Sequence, residues 1–390
     1  MHVTAGRAAL LLVAALGCVS CREATAQRGS PQARVVPTER ELAVDPRLGF
    51  ALAPTPLLSR DRRVVSESPK RLASGKHLVD GDAKTSWGAG KPTPDHPAWA
   101  AIDVGSGPTA VLVKWSAGGS FDYRETDYGS PGAYRIDTSA DSTDGIDGAW
   151  KTAVSVAAVT THAAAHRIDF AGQRWVKLVV LSAPDKSPNG VQIDELEIHD
   201  ASFGGADSWF FMGDSITAFA FGRPTTKDRS FAALVHATSA RYTPVVVGGG
   251  MGGEKTDEGL AHLDEWLANN PTARLWGIGY GTNDSAGDAP DPSRFRKNLQ
   301  AIITRLRAER RVPILATIPY ATDGHHTTLP LFNAAIEELR RENALPAGPD
   351  LYAWFLAHPE QLRDGLHPNE AGIEAIAKLW ADAVAPLYPR

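Results

Sequence analysis

Phe210-Phe211-Met212-Gly213-Asp214-Ser215-Ile216-Thr217 decides how the chain is read. The apolar run 209–212 has the length of a strand buried on both faces, and it passes straight into a Gly-Asp-Ser turn. Downstream, apolar runs at 245–247, 275–280 and 313–318 alternate with amphipathic stretches at 231–240, 257–269, 292–310, 329–342 and 370–385. That alternation predicts a parallel sheet with helices on both faces over residues 208–390. A serine leaving the first strand then stands at a carboxyl end, where open α/β sheets place their ligands. There it can serve as a nucleophile, with the N–H groups of the following turn facing a developing oxyanion. Gly-Asp-Ser by itself is a common turn tripeptide, so the assignment needs the rest of the pattern.

Two further segments supply it. Gly281-Thr282-Asn283-Asp284 follows the 275–280 run, and Asp364-Gly365-Leu366-His367-Pro368-Asn369 precedes the last helix. In this order the three segments resemble the SGNH, or GDSL-type, serine hydrolase family over residues 208–390. The resemblance implies a flavodoxin-like sheet and hydrolysis of acyl esters. Carried over residue by residue, it implies Ser215 as nucleophile, His367 as general base and Asp364 as the acid that orients and stabilises the imidazolium. It also implies an oxyanion hole made of the Ser215 N–H, a glycine N–H after the second strand and the Asn283 side-chain amide. The matching glycine is Gly253 in Gly250-Met251-Gly252-Gly253-Glu254, with Gly250 the alternative in a Gly-rich run. Chemistry asks for the same set: a base for the serine proton, a group that fixes its tautomer, and donors aimed at the oxyanion. No cofactor and no catalytic metal are called for.

Other residues invite different readings. Gly248-Gly249-Gly250-Met251-Gly252-Gly253 fits G-x-G-x-x-G after a strand. It follows the second strand rather than the first, and Ala268-Asn269-Asn270-Pro271-Thr272 stands where a strand-ending acid is needed, so a dinucleotide site is set aside. Asp214 and Asp284 read as turn caps or supports for their neighbours. His325 and His326 read as a polar loop at the cleft rim, without the carboxylate or Cys partners of a metal site. Glu258, Asp264 and Glu265 read as the solvated face of a helix.

Before the hydrolase, residues 65–201 read as an all-β sandwich or jelly roll. Short apolar or alternating runs at 99–104, 110–115, 134–138, 153–159, 167–170, 175–181 and 191–198 are separated by Gly, Pro, Asp and Ser. Leu78-Val79-Asp80-Gly81-Asp82-Ala83-Lys84-Thr85-Ser86-Trp87 and Val191-Gln192-Ile193-Asp194-Glu195-Leu196-Glu197-Ile198 resemble segments of discoidin-like domains, the coagulation-factor C type. The resemblance implies a jelly roll that binds glycans, and a structural Ca²⁺ held by oxygens of Asp82, Thr85 and Glu195. Trp87 reads as a core aromatic. Phe121, Tyr123 and Tyr128, in the Gly- and Asp-rich stretch 118–132, read as stacking platforms for a sugar.

The 390 residues are 43% hydrophobic and 22% charged with a net charge of −5, a globular mixture without the basic field that nucleic acid attracts. Residues 1–26 read as a signal peptide whose apolar core, 8–17, is too short to span a bilayer. Ala24-Thr25-Ala26 offers a cleavage site, while Ala15-Leu16-Gly17-Cys18 resembles a lipobox that would put a lipid anchor on Cys18. Cys18 and Cys21 are the two cysteines, too few for a disulfide framework or a four-ligand zinc site. Residues 27–64, rich in Arg, Pro and Ser, read as a linker or stalk with room to pack in part on the neighbouring β domain. The expectation is an exported serine esterase, periplasmic, secreted or lipid-anchored, that O-deacetylates a polysaccharide or other glycan. The alternatives are a lipase, thioesterase or short-chain esterase of the same fold, and, from another class, a non-catalytic surface glycan-binding protein.

Overall fold

A computed structural model describes residues 44–68, 75–117, 122–126, 129–222, 227–287 and 289–388. The stretch read as a signal peptide, with Cys18 and Cys21, and both Phe121 and Tyr128 lie outside these residues.

The first half is two antiparallel sheets. One has the order β1 (Val64–Glu67), β3 (Ala98–Asp103), β8 (Trp175–Ser182), β5 (Ala133–Ser139) and β6 (Lys151–Val156). The other has the order β2 (Trp87–Gly90), β9 (Val191–Asp200), β4 (Ala110–Ala117) and β7 (Ala163–Asp169). Alternate residues of each sheet meet between them: Ala100 and Ile102, Leu178 and Val180, Val111, Val113 and Trp115, Leu196 and Ile198. Trp87 joins this core, as expected.

The second sheet is covered on part of its outer face as well. Ala110, Leu112, Ala163, Ala165 and Ala201 point the other way and share a core with Phe210, Val245 and Trp266 of the following half. Burial on both sides is why Ala110–Val113 is continuously apolar, while Lys114 and Ser116, farther along β4, are polar and only partly buried. The stretch just before β1 takes part as well. Leu48 and Leu52 pack with Trp209 and Phe211. Tyr242 Oη donates to the Leu52 carbonyl at 3.1 Å, and the Asp200 N–H donates to the Pro56 carbonyl at 2.8 Å.

The second half carries a parallel sheet in the order β11 (Val245–Gly250), β10 (Ser208–Gly213), β12 (Leu275–Gly279) and β13 (Val312–Leu315). Because β10 is central, successive side chains go to opposite layers. Phe210 and Met212 pack with α3 (Thr256–Asn269), α4 (Pro292–Ala308) and α5 (Leu329–Glu342). Trp209 and Phe211 pack with α2 (Phe231–Thr238), α6 (Leu351–Ala357) and α7 (Glu370–Val384). β10 ends at Gly213, and a single helical turn, α1 (Ser215–Thr217), follows at once.

Candidate active site

The serine comes from the β10–α1 junction. Asp214 caps the turn, its Oδ1 accepting the Ile216 N–H at 3.0 Å, and this hands Ser215 to the carboxyl end of the sheet. Burial pushes the Asp214 carboxyl up to about 7, against the pull of the Ile216 N–H. It therefore supports the turn as its sequence suggested.

The histidine comes from the turn before α7. Ser215 Oγ and His367 Nε2 are 3.0 Å apart, and His367 Nδ1 lies 2.9 Å from Asp364 Oδ2. The other Asp364 oxygen accepts the N–H groups of His367 at 2.7 Å and Leu366 at 3.1 Å. Desolvation raises the Asp364 carboxyl, but these N–H groups and the imidazole outweigh it and hold the group well below the usual carboxylate range. An ionised carboxylate only accepts hydrogen bonds, so the imidazole proton sits on Nδ1 and leaves Nε2 to accept from the serine hydroxyl. The turn is braced from behind by the Thr322 N–H, which donates to the Gly365 carbonyl at 2.7 Å. Phe219 meets the His367 ring edge-on at 5.8 Å and is itself covered by the Arg363 guanidinium at 4.5 Å.

The strand β11 ends in the Gly-rich run, and the protein's own atoms fill the room those glycines leave. A Cβ on Gly249 would strike the Phe210 ring at 2.0 Å, and one on Gly250 would strike the Ala218 N at 2.2 Å. The run thus makes space for Phe210 and for the helical turn after Ser215, which is what the dinucleotide-like spacing reflects. Gly250 is buried beneath that turn, while Gly253 lies exposed beyond the strand at φ +77°. Next to it Glu254 is buried. Its carbonyl accepts Asn283 Nδ2 at 3.0 Å, and its carboxyl takes the Tyr280 hydroxyl at 2.5 Å and faces His262 Nδ1 at 2.8 Å. Burial pushes the Glu254 carboxyl up to about 8, against the Tyr280 hydroxyl. Asp284 accepts the Thr256 N–H at 3.2 Å, tying the Asn283 turn to the start of α3.

Ser215, His367 and Asp364 therefore meet as the sequence suggested, and the Gly253 and Asn283 segments are bridged through Glu254. Sequence reasoning passed over Glu254 and Tyr280, although an acid beside a Gly-Gly pair at a strand end was the available signal. Glu265 and Asp264, expected as a solvated face, pair with Arg124 and Arg305, and Glu258 caps α3 by accepting the Lys255 N–H at 2.9 Å. His326 is buried with Nδ1 2.8 Å from Asp323, and His325 is exposed.

Tyr123 must be corrected. It is no stacking platform: its side chain is fully buried, edge-on to Phe210 at 5.3 Å and to Trp266 at 6.4 Å. The apolar layer under the parallel-sheet half claims the ring before any sugar could.

The candidate cation ligands do not converge on their carboxylates alone. Asp82 Oδ1 accepts the Lys84 N–H at 3.0 Å, and the Thr85 hydroxyl donates to Asp80 at 2.9 Å. Glu195 is buried with its Oε1 lacking a hydrogen-bond partner. Among the described residues no three His, Cys, Asp or Glu side chains gather as a metal site. A hard cation would need carbonyl and hydroxyl oxygens besides Glu195, which is how calcium sites are commonly completed. Among the described residues no helix is long and apolar enough to cross a membrane.

Comparison with known proteins adds the family. Residues 211–375 match the GDSL-like lipase/acylhydrolase family. A comparison with curated proteins returns no match. Among solved structures, a lipase/acylhydrolase from Enterococcus faecalis is 26% identical, with 46% of this chain and 95% of that one covered and a TM-score of 0.39. An acetylxylan esterase from Geobacillus stearothermophilus is 20% identical, with 45% and 93% covered and a TM-score of 0.39. Residues 211–375 thus carry a GDSL-like lipase/acylhydrolase domain, the domain of a carboxylic ester hydrolase.

Proposed function

We propose that the protein is an exported serine esterase that removes acyl groups, acetyl foremost, from the hydroxyls of a glycan. The observation that carries the esterase chemistry is the Ser215–His367–Asp364 relay, with 3.0 and 2.9 Å steps. As Ser215 Oγ attacks the ester carbonyl, its proton passes to His367 Nε2, and Asp364 stabilises the imidazolium. The tetrahedral oxyanion is received by the N–H groups of Ser215 and Gly253 and by Asn283. One Asn283 amide hydrogen is committed to the Glu254 carbonyl, and its second is available for the oxyanion. His367 then protonates the leaving alcohol, and water repeats the sequence on the acyl-enzyme.

Acetate release from a panel of acetylated polysaccharides tests the substrate. Release from a glycan, with poor turnover of long-chain p-nitrophenyl esters, is the expected result. The reverse preference would assign a lipase or thioesterase, and no turnover of any ester would leave a surface glycan-binding protein. Asn283→Ala is expected to lower kcat by about 10²- to 10³-fold, the usual cost of losing one oxyanion donor, with KM little changed. A wild-type kcat in that variant would remove Asn283 from the hole.

We also propose that the β half holds a structural calcium through Glu195 and oxygens of the Asp82–Thr85 turn. Calcium chloride is expected to raise the melting temperature of wild type but not of Glu195→Gln, and a chelator to reverse the gain. A melting temperature indifferent to calcium refutes the site.

A further inference from the structure

The oxyanion loop is held from the β half. Between β4 and β5, residues 122–124 reach across to the segment after β11. Asp122 Oδ1 accepts the Gly252 N–H at 2.8 Å, and the Tyr123 N–H donates to the Gly250 carbonyl at 3.1 Å. The Tyr123 ring is buried on Phe210 and Trp266, and its hydroxyl accepts Asn270 Nδ2 at 2.8 Å. Arg124 pairs with Glu265 and lies 3.5 Å from His262 Nε2, and the other nitrogen of that ring faces the Glu254 carboxyl. The segment is fixed at its own base: the His162 N–H donates to the Tyr123 carbonyl at 3.0 Å, and His162 Nδ1 lies 2.5 Å from the Asp122 carbonyl.

We propose that Asp122 is a positioning residue for the oxyanion hole, so that the β half contributes to the reaction through the loop 250–254 and not only by binding. The physical need is plain. Gly252-Gly253 is the least constrained pair of residues the loop could contain, and the Gly253 N–H must be aimed to within a fraction of an ångström. A charged acceptor on the preceding N–H removes that freedom, and Asp122 lies so close that a Cβ on Gly252 would come within 3.2 Å of it. Arg124, through His262 and Glu254, reaches the carbonyl that orients Asn283. One short segment thus touches the supports of both donors.

The inference rests on the reading of Ser215 and Gly253 given above, and the experiment separates the two. The full chain and its Asp122→Ala, Asp122→Asn and Ser215→Ala variants are assayed with p-nitrophenyl acetate and by amide hydrogen exchange over 250–255. Asp122→Ala is expected to lose about 10- to 10²-fold in kcat with KM within threefold, because the hole acts on the transition state. Exchange over 250–255 should quicken in the same variant. Asp122→Asn keeps an acceptor oxygen and should stay within about threefold of wild type. A wild-type kcat in Asp122→Ala overturns the proposal. So does an equal loss in both Asp122 variants accompanied by a fall in melting temperature, which marks a merely structural role. If Ser215→Ala stays active, the nucleophile is misassigned. The exchange comparison still decides whether Asp122 holds the loop, and unchanged exchange refutes it.

Discussion

Ser215→Ala is expected to abolish ester turnover, lowering kcat by about 10⁴-fold or more. Among the described residues no other hydroxyl is brought to His367 Nε2 as Ser215 Oγ is, at 3.0 Å, so the variant has no route to an acyl-enzyme. What remains is the oxyanion donors acting on water, which supports only slow residual hydrolysis. The fold should persist, because the substitution removes one hydrogen bond worth about 1 kcal/mol and leaves the Asp214 cap in place. Steady-state hydrolysis of p-nitrophenyl acetate beside a melting curve checks both halves of the claim. A variant as fast as wild type would mean that another group attacks the ester.

Asp364→Asn should cost nearly as much, about 10⁴-fold in kcat, though it swaps one oxygen for one nitrogen. The carboxylate now collects the imidazole at 2.9 Å and two backbone N–H groups at 2.7 and 3.1 Å. An amide can keep the backbone bonds by turning its oxygen toward them. Its NH₂ then faces Nδ1 and favours the tautomer with the proton on Nε2, which cannot accept from serine. Activity lost at an unchanged melting temperature is the expected signature. Retention of most of the activity would show that His367 needs no ionised partner.

Much of this site could be read from the sequence, for a physical reason. Each of its parts is local: a strand running into a turn at 210–217, an Asp-x-x-His turn at 364–367, and an Asn after a strand at 283. The helices 329–342 and 370–384 were equally plain, since amphipathic periodicity is a property of contiguous residues. What escaped depends on distant partners. Trp87–Gly90 forms a strand although Gly88 and Gly90 break its alternation, because β9 pairs with it across a bulge. Leu351–Ala357 is too short to display a period. Tyr123 looked like an exposed loop aromatic because its neighbours are Gly, Asp and Ser, while the residues that bury it lie at 210 and 266. Asp122 and Arg124 stayed invisible for the same reason.

The sheet β2-β9-β4-β7, covered on part of its outer face as well, has a consequence for anyone handling this protein. Leu112, Ala163, Ala165 and Ala201 belong as much to the hydrolase as to the sandwich. Cutting the chain near residue 205 would leave two fragments, each with a raw apolar surface that invites aggregation. The polypeptide should therefore melt in a single cooperative step. A recombinant catalytic half trimmed at the apparent boundary would lack its foundation, so engineering must keep the two halves together.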